Sequence, residues 1–106
     1  MIYTMDELRE RITPVAKKYH LKAAYIFGSY ARGEAKENSD VDILVDRTGS
    51  NIQGMFGIGG LYNDLSESIG KKIDLVTTQS LEQRSTKERI PTFVDAVNSE
   101  RVKIYE

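Results

Sequence analysis

Two stretches of the chain hold residue types at a spacing that could do chemistry. They are Gly28-Ser29-Tyr30-Ala31-Arg32-Gly33 and, after five further residues, Ser39-Asp40-Val41-Asp42-Ile43-Leu44-Val45. Glycine lets a backbone approach an anion closely, and the N–H groups of such a turn together with the Ser29 hydroxyl can donate to phosphate oxygens. Taken alone, a strand followed by Gly-Ser is also a common structural connector. In an extended segment the side chains alternate, so Asp40 and Asp42 share one face while Val41, Ile43 and Val45 take the other. The first face reads as built to hold cations and the second as apolar. Two like charges this close repel each other unless a cation or a catalytic task compensates. Metal-bound phosphate chemistry is the leading expectation.

A third carboxylate stands in Lys72-Ile73-Asp74-Leu75-Val76-Thr77, where the alternation predicts a strand with Asp74 inside it. If that strand lies in the same sheet, Asp40, Asp42 and Asp74 can hold two divalent ions about 4 Å apart, the arrangement used for phosphoryl or nucleotidyl transfer. The plainer alternative is that Asp74 caps a strand beside Lys71 and Lys72. Arg32 suits two roles equally, contacting phosphate or pinning the loop to a carboxylate. Tyr30 could stack on a base or pack locally. His20, the single histidine, follows Tyr19 at a helix end and reads as a cap. Gly57, Gly59 and Gly60 look like a second phosphate loop, but they fall on a helical apolar pattern, which favours close helix packing.

The elements that must position these groups follow from periodicity. Thr4 and Glu7 form a capping box with Tyr3 and Leu8 at staple positions, so a helix begins there and carries Met5, Leu8, Ile12, Val15, Ala16 and Tyr19 on one face. Its acids come early and Lys17 and Lys18 late, and Pro14 is expected to kink or divide it. Lys22 to Phe27 reads as a strand ended by Gly28-Ser29, followed by a short helical turn and a polar loop from Gly33 to Ser39. That loop leads into a strand from Asp40 to Asp46. Ile58, Leu61, Tyr62, Leu65 and Ile69 then mark a helix capped by Gly70. With Gly54, Gly57, Gly59 and Gly60 near it, this helix either starts late or packs closely on another backbone. Ser80 to Ile90 is weakly patterned, Pro91 can start a short helix with Phe93, Val94 and Val97, and Val102 to Tyr105 closes as an edge strand. The expected fold class is α/β, a small mixed β-sheet with flanking helices.

Composition narrows the functions. With 106 residues the chain fits a single domain, 1–106, with no room for a second substrate lobe. Fifteen Lys and Arg against sixteen Asp and Glu give a net charge of -1, which offers no general grip on a nucleic-acid polymer. The absence of cysteine excludes disulfides and thiolate metal sites, and leaves magnesium as the ion suited to the carboxylates. No apolar run approaches the roughly 20 residues that cross a bilayer. The N-terminus lacks a signal-peptide pattern, so a soluble, cytoplasmic protein is expected.

Taken together, the Gly28–Gly33 turn, the Ser39-Asp40-Val41-Asp42 step and Lys72-Ile73-Asp74-Leu75-Val76 resemble the minimal nucleotidyltransferases, the MNT proteins of the DNA polymerase beta superfamily. The resemblance extends to Ala24-Tyr25-Ile26-Phe27, Gly60 to Leu65 and the ending Asp95 to Glu106. It implies a nucleotidyltransferase catalytic core without an added substrate domain. It further implies that Gly28 and Ser29 hold the triphosphate of ATP, that Asp40 and Asp42 bind two magnesium ions, and that Asp74 completes the metal site and helps deprotonate the acceptor. MNT proteins pair with HEPN ribonuclease toxins, so the implied role is an antitoxin that transfers AMP to a hydroxyl, a tyrosine by analogy, of its partner toxin. A non-catalytic antitoxin that masks its partner by binding is the alternative, and a metal-dependent nuclease or phosphatase a third.

Overall fold

The computed structural model describes residues 2–52, 54–83 and 91–106. Helix α1 (Met5–Lys18) starts where the capping box places it: the Glu7 N–H donates to Thr4 Oγ1 at 3.1 Å and the Thr4 N–H to Glu7 Oε1 at 2.9 Å. It runs through Pro14 as one helix, so of the two expected effects, a kink or a division, the division does not occur. Pro14 lies on the exposed side, where water can serve the carbonyl left without an amide partner, while Leu8, Ile12, Val15 and Ala16 bury the opposite stripe on both sides of it. The helix closes with His20 in the left-handed region (φ 55°), its N–H on the Lys17 carbonyl and that of Leu21 on the Ala16 carbonyl. The predicted capping role of His20 is therefore carried by its backbone.

Four strands follow in the sheet order β3-β2-β1-β4, with β1 Ala23–Phe27, β2 Val41–Asp46, β3 Ile73–Thr77 and β4 Val102–Tyr105. Strand β1 pairs antiparallel with both β2 and β4, and β2 pairs parallel with β3, so the sheet is mixed and β4 is an edge as expected. The parallel pair is bridged by helix α3 (Gly54–Ile69), which packs beside α1 and ends at Gly70 in the left-handed region (φ 71°). The helix starts early rather than late, and the close approach is real: a Cβ on Gly57 would stand 3.2 Å from the Ile52 Cα.

One face of the sheet packs under α1 and α3, with Ala24, Ile26, Val41, Ile43, Val45 and Ile73 meeting Leu8, Ile12, Leu61, Leu65 and Ile69. On the other face Phe27, Leu44 and Val76 meet Leu81, Val94 and Val97, which come from α4 (Thr78–Gln83) and α5 (Pro91–Glu100). Helix α4 was not expected from the polar stretch that begins near it. Residues 84–90, the rest of that stretch, lie outside the described residues. None of the described helices is long and apolar enough to cross a membrane.

Candidate active site

The end of β1 and the starts of β2 and β3 meet at one edge of the sheet. Antiparallel pairing sets Phe27 opposite Asp42, and parallel pairing sets Asp42 opposite Asp74. Phe27, Asp42 and Asp74 therefore form one row on one face, since directly paired residues project to the same side. The next row along is Tyr25, Leu44 and Val76. Asp40 lies just ahead of β2 and is half-buried, as is Asp42, whereas Asp74, on the edge strand, is exposed. The acid face is thus not wholly polar, as its alternation suggested: Leu44, two residues beyond Asp42, is fully buried in the second core.

Two of the three carboxylates act on the third. The Asp42 carboxyl is pushed up to about 6 from 3.8, first by burial, then by the charges of Asp74 and Asp40. Among the described residues no three carboxylate, imidazole or thiolate groups are gathered into a ready-made cage for a metal. The donor set nevertheless fits a hard divalent cation. Magnesium commonly takes only one or two carboxylates and completes its shell with water and substrate phosphate, and a carboxylate destabilised by neighbouring negative charge gains from a cation.

Gly28, buried at the end of β1 with φ +73°, opens the short helix α2 (Gly28–Ala31). A Cβ at this position would lie 2.0 Å from Asp42 Oδ2. The turn and the carboxylate are therefore packed as one unit, and only glycine fits between them. Ser29 follows, half-buried, with its carbonyl accepting the Glu34 N–H at 2.8 Å. The structure brings Gly28, Ser29, Asp40, Asp42 and Asp74 to the same end of the sheet.

Of the two roles open to Arg32, the structure displays the pinning one. Its Nε donates to Glu34 Oε1 at 2.8 Å and its Nη1 to both oxygens of Glu100 at 3.1 Å. Tyr30 is 5% exposed and packs in the larger core, its hydroxyl taking a bond from Lys71 Nζ, so local packing prevails over base stacking. Glu100 is the residue that the sequence reading missed. Its Oε1 accepts the Gly28 N–H at 3.0 Å from 72 positions away. The available signal was an acid at the last position of a helix, where the dipole disfavours it.

Residues 10–92 match the family described as Polymerase beta, Nucleotidyltransferase. The chain belongs to this family. It is an enzyme of the nucleotidyltransferase class, as the clustering of its turn and carboxylates anticipates. Among its relatives, the protein adenylyltransferase MntA of Thermococcus cleftensis is 38% identical over 82 residues, covering 74% of this nucleotidyltransferase and 81% of the relative. A candidate protein adenylyltransferase of Methanocaldococcus jannaschii is 39% identical over 77 residues, 73% of this chain and 81% of that one. A candidate minimal nucleotidyltransferase of known structure superposes with a TM-score of 0.69 at 25% identity, covering 94% and 95% of the two chains. A chain in the structure of a tri-AMPylated Shewanella oneidensis HEPN toxin in complex with its MNT antitoxin shares the fold at 17% identity, with a TM-score of 0.62 over 95% of this chain and 71% of that one.

Proposed function

We propose that this nucleotidyltransferase transfers AMP from ATP to a hydroxyl, most simply a tyrosine, of a partner HEPN toxin and so acts as its antitoxin. The observation that carries this reading is the register of β2 and β3, which sets Asp42 abreast of Asp74 beside the Gly28 turn. Its support from relatives is the protein adenylyltransferase name of the Thermococcus cleftensis homologue and the AMPylated toxin in the Shewanella oneidensis complex.

In this reading Gly28 and Ser29 hold the triphosphate, and Asp40, Asp42 and Asp74 would hold two magnesium ions. When bound, magnesium supplies charge neutralisation at the phosphate oxygens and lowers the cost of forming the attacking oxyanion. Asp74 is exposed on the edge strand, and in this reading it also receives the proton of the acceptor hydroxyl. The acceptor oxygen forms a bond to the α-phosphorus as the bond from that phosphorus to the β-phosphate oxygen breaks, and pyrophosphate leaves. Residues 1–106 act as one catalytic domain in the cytoplasm, and the acceptor presents its own surface.

The test combines the protein, ATP, magnesium and a HEPN partner and follows both proteins by intact mass. The partner is expected to gain AMP with one pyrophosphate released per addition. Neutralisation of the toxin with no added AMP at any ratio would assign a masking role instead, and release of inorganic phosphate would assign a hydrolase.

A further inference from the structure

Helix α5 ends on Glu100, so a carboxylate sits at the negative end of its own helix dipole. The contrast with α1, which places Lys17 and Lys18 in its last turn, is direct. The Glu100 side chain is also only 21% exposed and has given up most of its water. What offsets both costs is the Gly28–Gly33 turn. The Gly28 N–H reaches Oε1 at 3.0 Å, and the Arg32 guanidinium bridges Oε1 and Oε2 at 3.1 Å each. A backbone N–H and a guanidinium converging on two anionic oxygens is the donor pattern that also suits a phosphate group.

These are donors of the same turn that the proposed function gives to the triphosphate, and the inference rests on that reading. Gly28 has one N–H, and it cannot serve Glu100 and a phosphate oxygen at full strength together. A carboxylate left in place would also repel the incoming triphosphate. We propose that Glu100 is a built-in competitor for the phosphate site: it occupies the Gly28 N–H and Arg32 in the nucleotide-free protein and must let go for ATP to bind. Release frees Arg32 Nη1 for a phosphate oxygen while Nε keeps its bond to Glu34 Oε1, so the two roles open to Arg32 become two states of one residue. Nucleotide affinity is then set partly by how firmly the end of α5 holds to α2.

Calorimetric titration of ATP with magnesium, of inorganic tripolyphosphate, and of adenosine into the parent protein, Glu100→Gln and Glu100→Ala tests this. Circular dichroism of each variant checks that it is folded. Both variants are expected to bind ATP and tripolyphosphate about fivefold or more tightly than the parent, with adenosine unchanged and KM for ATP lowered at similar kcat. Weaker ATP binding, or a fall in kcat without a fall in KM, would overturn the proposal and make Glu100 a positioning residue for Arg32. Failure of ATP to bind any of the three folded proteins would remove the nucleotide reading itself, an outcome distinct from equal binding by all three, which would remove only the competitor.

Discussion

The two faces of the sheet are drawn from the same strands and put to different uses. Beneath α1 and α3, Val41, Ile43 and Val45 are fully buried and the packing is apolar throughout. On the opposite face the row that begins with Phe27 carries Asp42 and Asp74, and only the next row, with Leu44 and Val76, returns to apolar packing under α4 and α5. The first face holds the fold together and the second holds a charge conflict at one end. The difference teaches where stability was given up: strand β2 keeps a half-buried carboxylate next to two others, a feature that weakens the metal-free fold and suits only a cation or a reaction.

Adjacent substitutions on β2 break the comparison most strongly. Ile43→Ala removes a fully buried side chain from the structural face and should cost about 2–5 kcal/mol, read as a lower midpoint in urea. Asp42→Asn, one residue away, should lower AMP transfer by at least about 100-fold while leaving the metal-free fold as stable as the parent or more so. A collapse of the Asp42→Asn fold would make the carboxylate structural and erase the distinction between the faces.

A smaller effect sharpens it. Because the Asp42 carboxyl is raised to about 6 in the fold against 3.8, the folded protein holds this proton more tightly than the unfolded chain. Its contribution is fully present below pH 3.8 and is lost as pH rises through about 6. Discounted for partial exposure, the loss amounts to roughly 1–2 kcal/mol. Melting curves of the metal-free parent and Asp42→Asn should therefore separate across that window, the variant gaining as pH increases. Parallel curves would mean that neither burial nor the neighbouring charges raise the Asp42 carboxyl in the fold.

Much of this was legible in the residues. Thr4 and Glu7 announced the start of α1 because a capping box is local, and the Asp-Val-Asp-Ile alternation gave the parity of β2 because strand geometry has period two. Asp74 inside a strand allowed that strand to share the sheet of Asp42, but its parallel pairing with β2 depends on the α3 crossover and was not legible. Parity could not say what covers each face, which is why Leu44 was missed on the acid side. Helix α4 was hidden because Leu81 is the single apolar residue in the sequence of Thr78–Gln83, which leaves no periodic stripe. Glu100 was hidden because its partners Gly28 and Arg32 lie 72 and 68 positions away, and such a contact exists only once α5 has docked.

The most direct test is a structure of the protein with magnesium and a non-hydrolysable ATP analogue. The account predicts phosphates against the Gly28-Ser29 turn, a divalent ion bound between the Asp42 and Asp74 carboxylates, and Glu100 withdrawn from the Gly28 N–H. Phosphates seated elsewhere, with no ion at Asp42 and Asp74, would contradict it.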